Sequence, residues 1–408
     1  MQLWVVILAC LSGIAFVLLI DSWSSLGKSA VGERKHRIET SQNFSQGKFQ
    51  NRLPLKNYFW RSIGDSFKAG KHQKPSEPIP IFDNDGTAYE TPATSGFRVT
   101  WLGHSTLLLE LDNVTLLIDP VWGNRISPFS WFGPKRWYEP PLAIENLPKI
   151  DAVIISHDHY DHLDKASILE LADKAPFFIV PLGVGAHLAY WGISEHQILE
   201  LEWWQETKVS SVTITATPAR HASGRHILDL DKTLWAGYAF KGSHNAFYSG
   251  DTGLFPGFKE IGERLGPFDL TMIEVGAYSR NWPDWHLGPE QAVIAHTWVK
   301  GARLLPLHWG LFDLAMHNWT EPMERVLAAS EQKNLSVLTP QPGQPFEPGI
   351  TQMARWWPKL PWQGPDEHSC KAKFKTNPFK HPTVVWCWML TPVSNLSDRL
   401  SWQQSLGV

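Results

Sequence analysis

The stretch SHDHYDHLD, residues 156–164, places His157, His159, Asp161 and His162 within six positions. Imidazole nitrogens and carboxylate oxygens are the donors that zinc accepts when thiolate is absent. In a loop leaving a strand, His157 and His159 can face one point while Asp161 and His162 face a second point close by. Each point needs a further ligand from elsewhere, and two adjacent cations would gain from a carboxylate between them. Packing alone accounts poorly for the cluster, because every polar group in it would need a burial partner. The chain has three cysteines, Cys10, Cys370 and Cys387, so a metal site between the first two must use histidine and carboxylate. No disulfide framework is implied.

Three later stretches offer the missing ligands. TPARHASGR (217–225) puts His221 directly after a strand-like run. YSGDTG (248–253) puts Asp251 in a glycine-rich turn, and LLPLHWG (304–310) puts His308 where an apolar run stops. Polar residues at strand ends are where a sheet protein builds a site.

The elements that must hold these residues are legible as patterns. FRVTWLG, STLLLEL and NVTLLIDP read as consecutive antiparallel strands from residue 97, and DAVIIS (151–156) as a buried strand ending on the histidine cluster. Asp164 can cap a helix that Pro176 stops. FFIV, VTITATPA, AGYAF, NAFYSG and LTMIEVG read as strands, and Pro289 to Lys300 and Thr320 to Lys333 as helices. Strands and helices without strict alternation predict two packed sheets with helices outside, an α+β class.

Net charge is −3, so bulk charge does not point to nucleic acid, but the charge is unevenly spread. Residues 21–80 have a balance of +6 and residues 351–408 of +4, which leaves −13 between them. Residues 1–20 carry no charged side chain, and about 20 apolar residues suffice to span a bilayer. With Lys28, Arg34, Lys35 and Arg37 following, the positive-inside rule predicts an uncleaved anchor with the body of the chain in the cytoplasm. The expected organisation is a transmembrane anchor over 1–20, a basic juxtamembrane linker over 21–90, a catalytic domain over 91–350, and a C-terminal tail over 351–408 with no assigned role. WWPKLPW and VVWCWML stand out in that tail.

The series HDHYDH, His221, Asp251, His308, in that order, resembles the metallo-β-lactamase superfamily over roughly residues 97–350. The resemblance implies a four-layer αβ/βα sandwich with the site at one edge of the sheets. It implies His157, His159 and His221 on one zinc, Asp161, His162 and His308 on the other, and Asp251 bridging; iron or manganese also suit such donors. TWLGHSTLLLEL, LLIDPVWGNRISPFSWFGPKRW, PARHASGR, VGAYSRNW and LPLHWGLF are similar to the N-acylphosphatidylethanolamine-hydrolysing phospholipase D family and its bacterial relatives.

That family's reaction would be hydrolysis of the phosphodiester to N-acylethanolamine and phosphatidic acid by a metal-bridging hydroxide. A lactonase or other ester hydrolase is the alternative, and a non-catalytic membrane zinc protein is a third reading. His286, in NWPDWHLGP, is expected beside the substrate with Asp251 as the other catalytic residue. Asp119 is expected to orient a metal-bound histidine, with His104 beneath the site. Trp122, Trp131, Tyr278 and Trp282 are expected substrate contacts, and Lys135, Arg136 and Arg280 candidates for lipid phosphate. Expected partners are a phospholipid, a membrane (the bacterial inner membrane) and a second copy of the chain, with no nucleic acid.

Overall fold

The computed structural model describes residues 22–58 and 70–364, together with the single positions 7, 12, 13, 61 and 65. The described residues up to Trp362 belong to one compact unit. After a two-residue hairpin (β1, Phe44–Ser45; β2, Lys48–Phe49), the strands form two seven-stranded sheets. The first contains β3 (Phe97–Gly103), β4 (Thr106–Leu111), β5 (Val114–Ile118), β6 (Ala152–Ile154), β7 (Phe178–Pro181) and β8 (Ile198–Leu201), with β16 (Pro345–Phe346) on the β3 edge. The second contains β9 (Glu206–Val209), β10 (Val212–Thr217), β11 (Gly237–Lys241), β12 (Asn245–Tyr248), β13 (Leu270–Glu274), β14 (Arg303–Leu307) and β15 (Ser336–Val337) in chain order. In each sheet an antiparallel meander gives way to parallel strands, at β5–β6 in one and β12–β13 in the other.

The predicted sandwich follows from how the strands are buried. Leu107, Leu109 and Leu111 of β4 face the core between the sheets, while Leu108 faces an outer core. Leu116 and Ile118 of β5 alternate with Leu117 in the same way. Side chains alternate across a strand with a period of two, so a strand covered on both faces reads as a continuous apolar run. The outer core of the first sheet is closed by α2 (Lys165–Leu171), through Ile168 and Leu171, and by α3 (Gly185–Tyr190), through Leu188. The second sheet carries α4 (Gly257–Arg264), α5 (Pro289–Trp298) and α6 (Glu321–Glu331). Asp164 caps α2 as expected, its side chain accepting from Ser167 N.

The composition of residues 21–90 suggests a linker, yet its described part is tied to the catalytic unit along its length. It begins α1 (Gly32–Glu39) and buries Ile38 and Phe49 in the core. Arg34 pairs with Glu195 and Glu200, and Arg52 with Glu260 at 2.6 Å. Asn51 Nδ2 donates to the carbonyl of His221 at 2.6 Å, and Arg220 donates to the Pro54 carbonyl. Arg37, Lys48 and Lys74 likewise pair with Glu200, Asp231 and Asp313, while Lys35 pairs with Glu39 inside the segment.

The expected membrane helix is corrected. Among the described residues, no helix is long and apolar enough to cross a membrane. A span needs about 20 apolar residues in one unbroken helix. The anchor and the inner-membrane placement drawn from it are therefore dropped. Residues 1–20, apart from positions 7, 12 and 13, and the VVWCWML stretch lie outside the described residues.

Candidate metal centre

The seven predicted ligands, with Asp119 and His104, lie in the turns and loops that leave the strands, along one edge of the two sheets. Asp119 follows β5, the 156–162 loop follows β6, and His104 lies in the turn between β3 and β4. From the second sheet, His221 follows β10, Asp251 follows β12 and His308 follows β14. Three of these hold left-handed backbone, with φ of 52° at His104, 41° at Asp119 and 65° at His308. Non-glycine residues persist there only when the surrounding structure holds them.

The predicted seven come together. Asp251 Oδ2 is at their middle, 3.1 Å from His308 Nε2, 3.2 Å from His162 Nε2, 3.7 Å from His221 Nε2 and 3.9 Å from His157 Nε2. On one side His159 Nδ1 lies 2.9 Å from His157 Nε2 and 3.2 Å from His221 Nε2. On the other, Asp161 Oδ2 lies 3.3 Å from His308 Nε2 and 3.6 Å from His162 Nε2. Potential donor atoms of His157, His159 and His221 lie within 4.8 Å of one another, as do those of His104, Asp161, His162 and His308.

This arrangement fits a pair of cations. Bonds of about 2.0–2.1 Å in a tetrahedron set ligand atoms about 3.3 Å apart, close to the nitrogen spacings in the His157–His159–His221 group. His162 Nε2, His308 Nε2 and Asp251 Oδ1 are buried and have no hydrogen-bond partner among the described residues, a costly condition unless something else satisfies them. Burial alone would push the His308 imidazole down, but Asp251 and Asp161 overcome it and raise it to about 10. His162 is likewise raised well above its ordinary value, against burial, by Asp251, Asp161 and Asp119. The centre thus attracts positive charge where a metal would bring it.

The outer contacts fix which nitrogen points inward. Asp119, expected to orient a histidine, is 2.7 Å from His162 Nδ1 and accepts from Ser156 N, the Ser156 hydroxyl and the Tyr248 hydroxyl. His221 Nδ1 is 2.9 Å from the Trp285 carbonyl. His104 Nε2 is 3.0 Å from Asp161 Oδ2, and burial pushes its imidazole down to about 3. His286, the expected substrate neighbour, stands 3.7 Å from Asp251 Oδ2 through Nδ1. Burial depresses it to about 4.

The expected substrate contacts fare differently. Trp122 donates to the Leu142 carbonyl and packs against the outer core of the first sheet. Tyr278 is buried with its hydroxyl on Glu321, and Trp282 donates to the Ala277 carbonyl. Trp131 alone of the four is largely exposed, beside Phe129 and Phe132. Arg136 is buried on the carbonyls of Tyr138 and Trp122, and Arg280 pairs with Asp65. Arg136 is therefore used inside its own loop, while Arg280 keeps 34% of its side chain exposed beside Asp65.

Three functional-looking groups escaped the sequence reading. Glu274 is buried at the end of β13, 2.7 Å from His286 Nδ1. Burial, and then the Asp251 carboxylate beside it, push its carboxyl well above the ordinary range. Cations at Asp251 would remove the second cause. Asp158, the residue between the first two histidines, accepts from Gly224 N and Thr233 and faces His187. Arg225 donates to the carbonyls of Asp158 and Leu163, at the two ends of the histidine loop. The signal for Glu274 was present: a charged residue closing an apolar strand, as His308 does.

Residues 114–309 match the β-lactamase superfamily domain. An uncharacterised protein of Mycobacterium tuberculosis is 44% identical over 336 residues, covering 78% of this chain and 88% of that protein. The N-acyl-phosphatidylethanolamine-hydrolyzing phospholipase D 1 of Caenorhabditis elegans is 36% identical over 279 residues, covering 64% and 78%. A metal-dependent hydrolase of Pyrobaculum neutrophilum is 28% identical over 238 residues, covering 58% and 94%. With the sandwich and the converged ligand set, these likenesses place the chain in the metallo-β-lactamase superfamily, as one of its metal-dependent hydrolases.

Proposed function

We propose that the chain hydrolyses the phosphodiester bond of an N-acylated phosphatidylethanolamine, releasing N-acylethanolamine and leaving phosphatidic acid. The observation that carries this reading is Asp251, a buried carboxylate set among histidines from both ligand groups. The likeness to the Caenorhabditis elegans enzyme named for this reaction supports the lipid as substrate. His157, His159 and His221 would hold one ion and Asp161, His162 and His308 the other, with Asp251 between them. Zinc suits the donor set.

When bound, a cation pair supplies Lewis acidity toward a phosphoryl oxygen and makes water acidic enough to ionise near neutral pH. The chain's own residues do the rest. Asp119 and the Trp285 carbonyl keep His162 and His221 turned inward. His286 keeps 13% of its side chain exposed, as Asp161 keeps 15%, while His157, His162, His221 and His308 have 0–1%. A water oxygen bonds to phosphorus and gives up a proton, the bond to the ethanolamine oxygen breaks with its electron pair, and that oxygen takes up one proton in return.

The test is incubation of the zinc-loaded protein with N-palmitoyl phosphatidylethanolamine in detergent micelles, beside a panel of acyl lactones. Release of N-palmitoylethanolamine and phosphatidic acid, lost in Asp251→Asn, is expected. Lactone opening without phosphodiester cleavage would replace this reading with that of a lactonase.

A further inference from the structure

Glu274 is not among the seven proposed ligands, although its carboxylate lies within 4.8 Å of ligand atoms of Asp251, His286 and His308, and it is 1% exposed, where an unsatisfied carboxylate is costly. Its surroundings show what it holds. Oε1 accepts from the backbone N–H of Thr252, next to Asp251, and from that of Leu287 at 3.3 Å, next to His286. Oε2 lies 2.7 Å from Nδ1 of His286. One carboxyl group therefore ties the end of β13 to the Asp251 turn and to the loop that carries His286.

We propose that Glu274 is a positioning residue for His286: its carboxylate accepts a hydrogen bond from Nδ1–H and leaves Nε2 as the proton-accepting nitrogen this histidine offers at the scissile group. In a neutral imidazole one nitrogen donates and the other accepts, and the partner of the first decides the role of the second. Nδ1 faces inward on Glu274 and Asp251, so the ring's exposed edge is the one bearing Nε2. Two backbone N–H groups already on Oε1 favour the accepting form of the carboxylate. His221 and His308 flank the ring at 5.2 and 5.1 Å between centroids, which places it over the centre. This proposal rests on the hydrolytic reading of the centre and not on which ester it cleaves.

The test compares the parent with Glu274→Gln, His286→Ala and the double variant, all zinc-loaded. Glutamine keeps the shape and can still accept from Thr252 and Leu287. Its NH2 then meets Nδ1 and reverses the polarity of that bond, as in a triad whose aspartate becomes asparagine. Glu274→Gln is expected to lower kcat on the order of 100-fold, with KM within about threefold and unchanged zinc content. The double variant should be no slower than His286→Ala, because a residue acting through another adds nothing once that partner is gone.

Each assay uses both bis(4-nitrophenyl) phosphate and the N-acylated lipid, so failure of the lipid alone overturns the function above and leaves this comparison standing. Nitrogen NMR of His286 in the parent gives a readout independent of turnover: Nδ1 should carry the proton. Protonation at Nε2 instead, multiplying penalties in the double variant, an unaltered kcat, or loss of a zinc equivalent in Glu274→Gln would each overturn the proposal. The last would make Glu274 a ligand in its own right.

Discussion

At the scale of single residues, the centre is an arrangement of nitrogens aimed by their outer partners. Asp119 is the most heavily used, taking two contacts from Ser156, one from Tyr248 and one from His162 Nδ1. Asp119→Asn turns an N–H toward donors. Such outer partners typically govern metal affinity by 10–100-fold, so zinc affinity measured by chelator competition should fall by about that factor. Affinity within twofold of the parent would mean His162 is aimed by other means. Away from the centre, His296 is buried with Nδ1 2.7 Å from the Thr271 hydroxyl, and burial holds it down to about 4. Its folded pKa lies below its unfolded value, so the unfolded chain takes the proton first as pH falls. Stability complete above about pH 6.5 is then lost toward pH 4, at up to about 1.4 kcal/mol per unit for this one group. In His296→Gln, unfolding free energy should depend on pH between 6.5 and 4.5 less steeply by about that amount; an unchanged slope would contradict it.

At the scale of elements, the strands were legible and the connections between them much less so. β4 and β5 are covered on both faces, and apolar runs such as TLLLEL announce that directly. The ligands were legible because several histidines and aspartates closing apolar runs would each need a partner once buried, and shared cations satisfy them together. Glu274 closes its strand in the same manner, but a lone glutamate before Val275 and Gly276 looks like an ordinary strand end, and its partner His286 is twelve positions away. The tryptophans are ambiguous in sequence for a physical reason, since an indole serves a core as well as a binding surface. Trp309 stacks on Trp101 and Trp356 at 5.5 and 5.2 Å, inside the unit. Arg225 makes the clearest element-scale case. Its guanidinium joins the carbonyls of Asp158 and Leu163 to that of Ser25 and lies 4.0 Å over the Tyr160 ring. Arg225→Met strips three carbonyls of a charged donor, for a loss of about 3 kcal/mol. Denaturant unfolding should show that loss, and amide exchange at residues 158–163 should speed up; a change below about 1 kcal/mol would mean the loop is held by its own strands.

At the scale of the whole molecule, the centre exists only because two sheets meet. The first supplies the 157–162 loop with Asp119 and His104 behind it, and the second supplies His221, Asp251 and His308. The segment at residues 22–58 lies across the same assembly, reaching His221 and Arg220 through Asn51 and Pro54. Its composition hid this role, because basic residues that pair with distant acidic partners look like a solvated linker when read locally. The chemistry assigned to the meeting edge requires that it take up two cations. The direct measurement is anomalous diffraction from crystals of the zinc-loaded protein, with metal content determined on the same preparation. Two ions per chain are predicted, about 3.5–4 Å apart, one among His157, His159 and His221 and the other among Asp161, His162 and His308, with Asp251 touching both. Anomalous peaks elsewhere, or less than one ion per chain after loading, would contradict a two-metal hydrolytic centre.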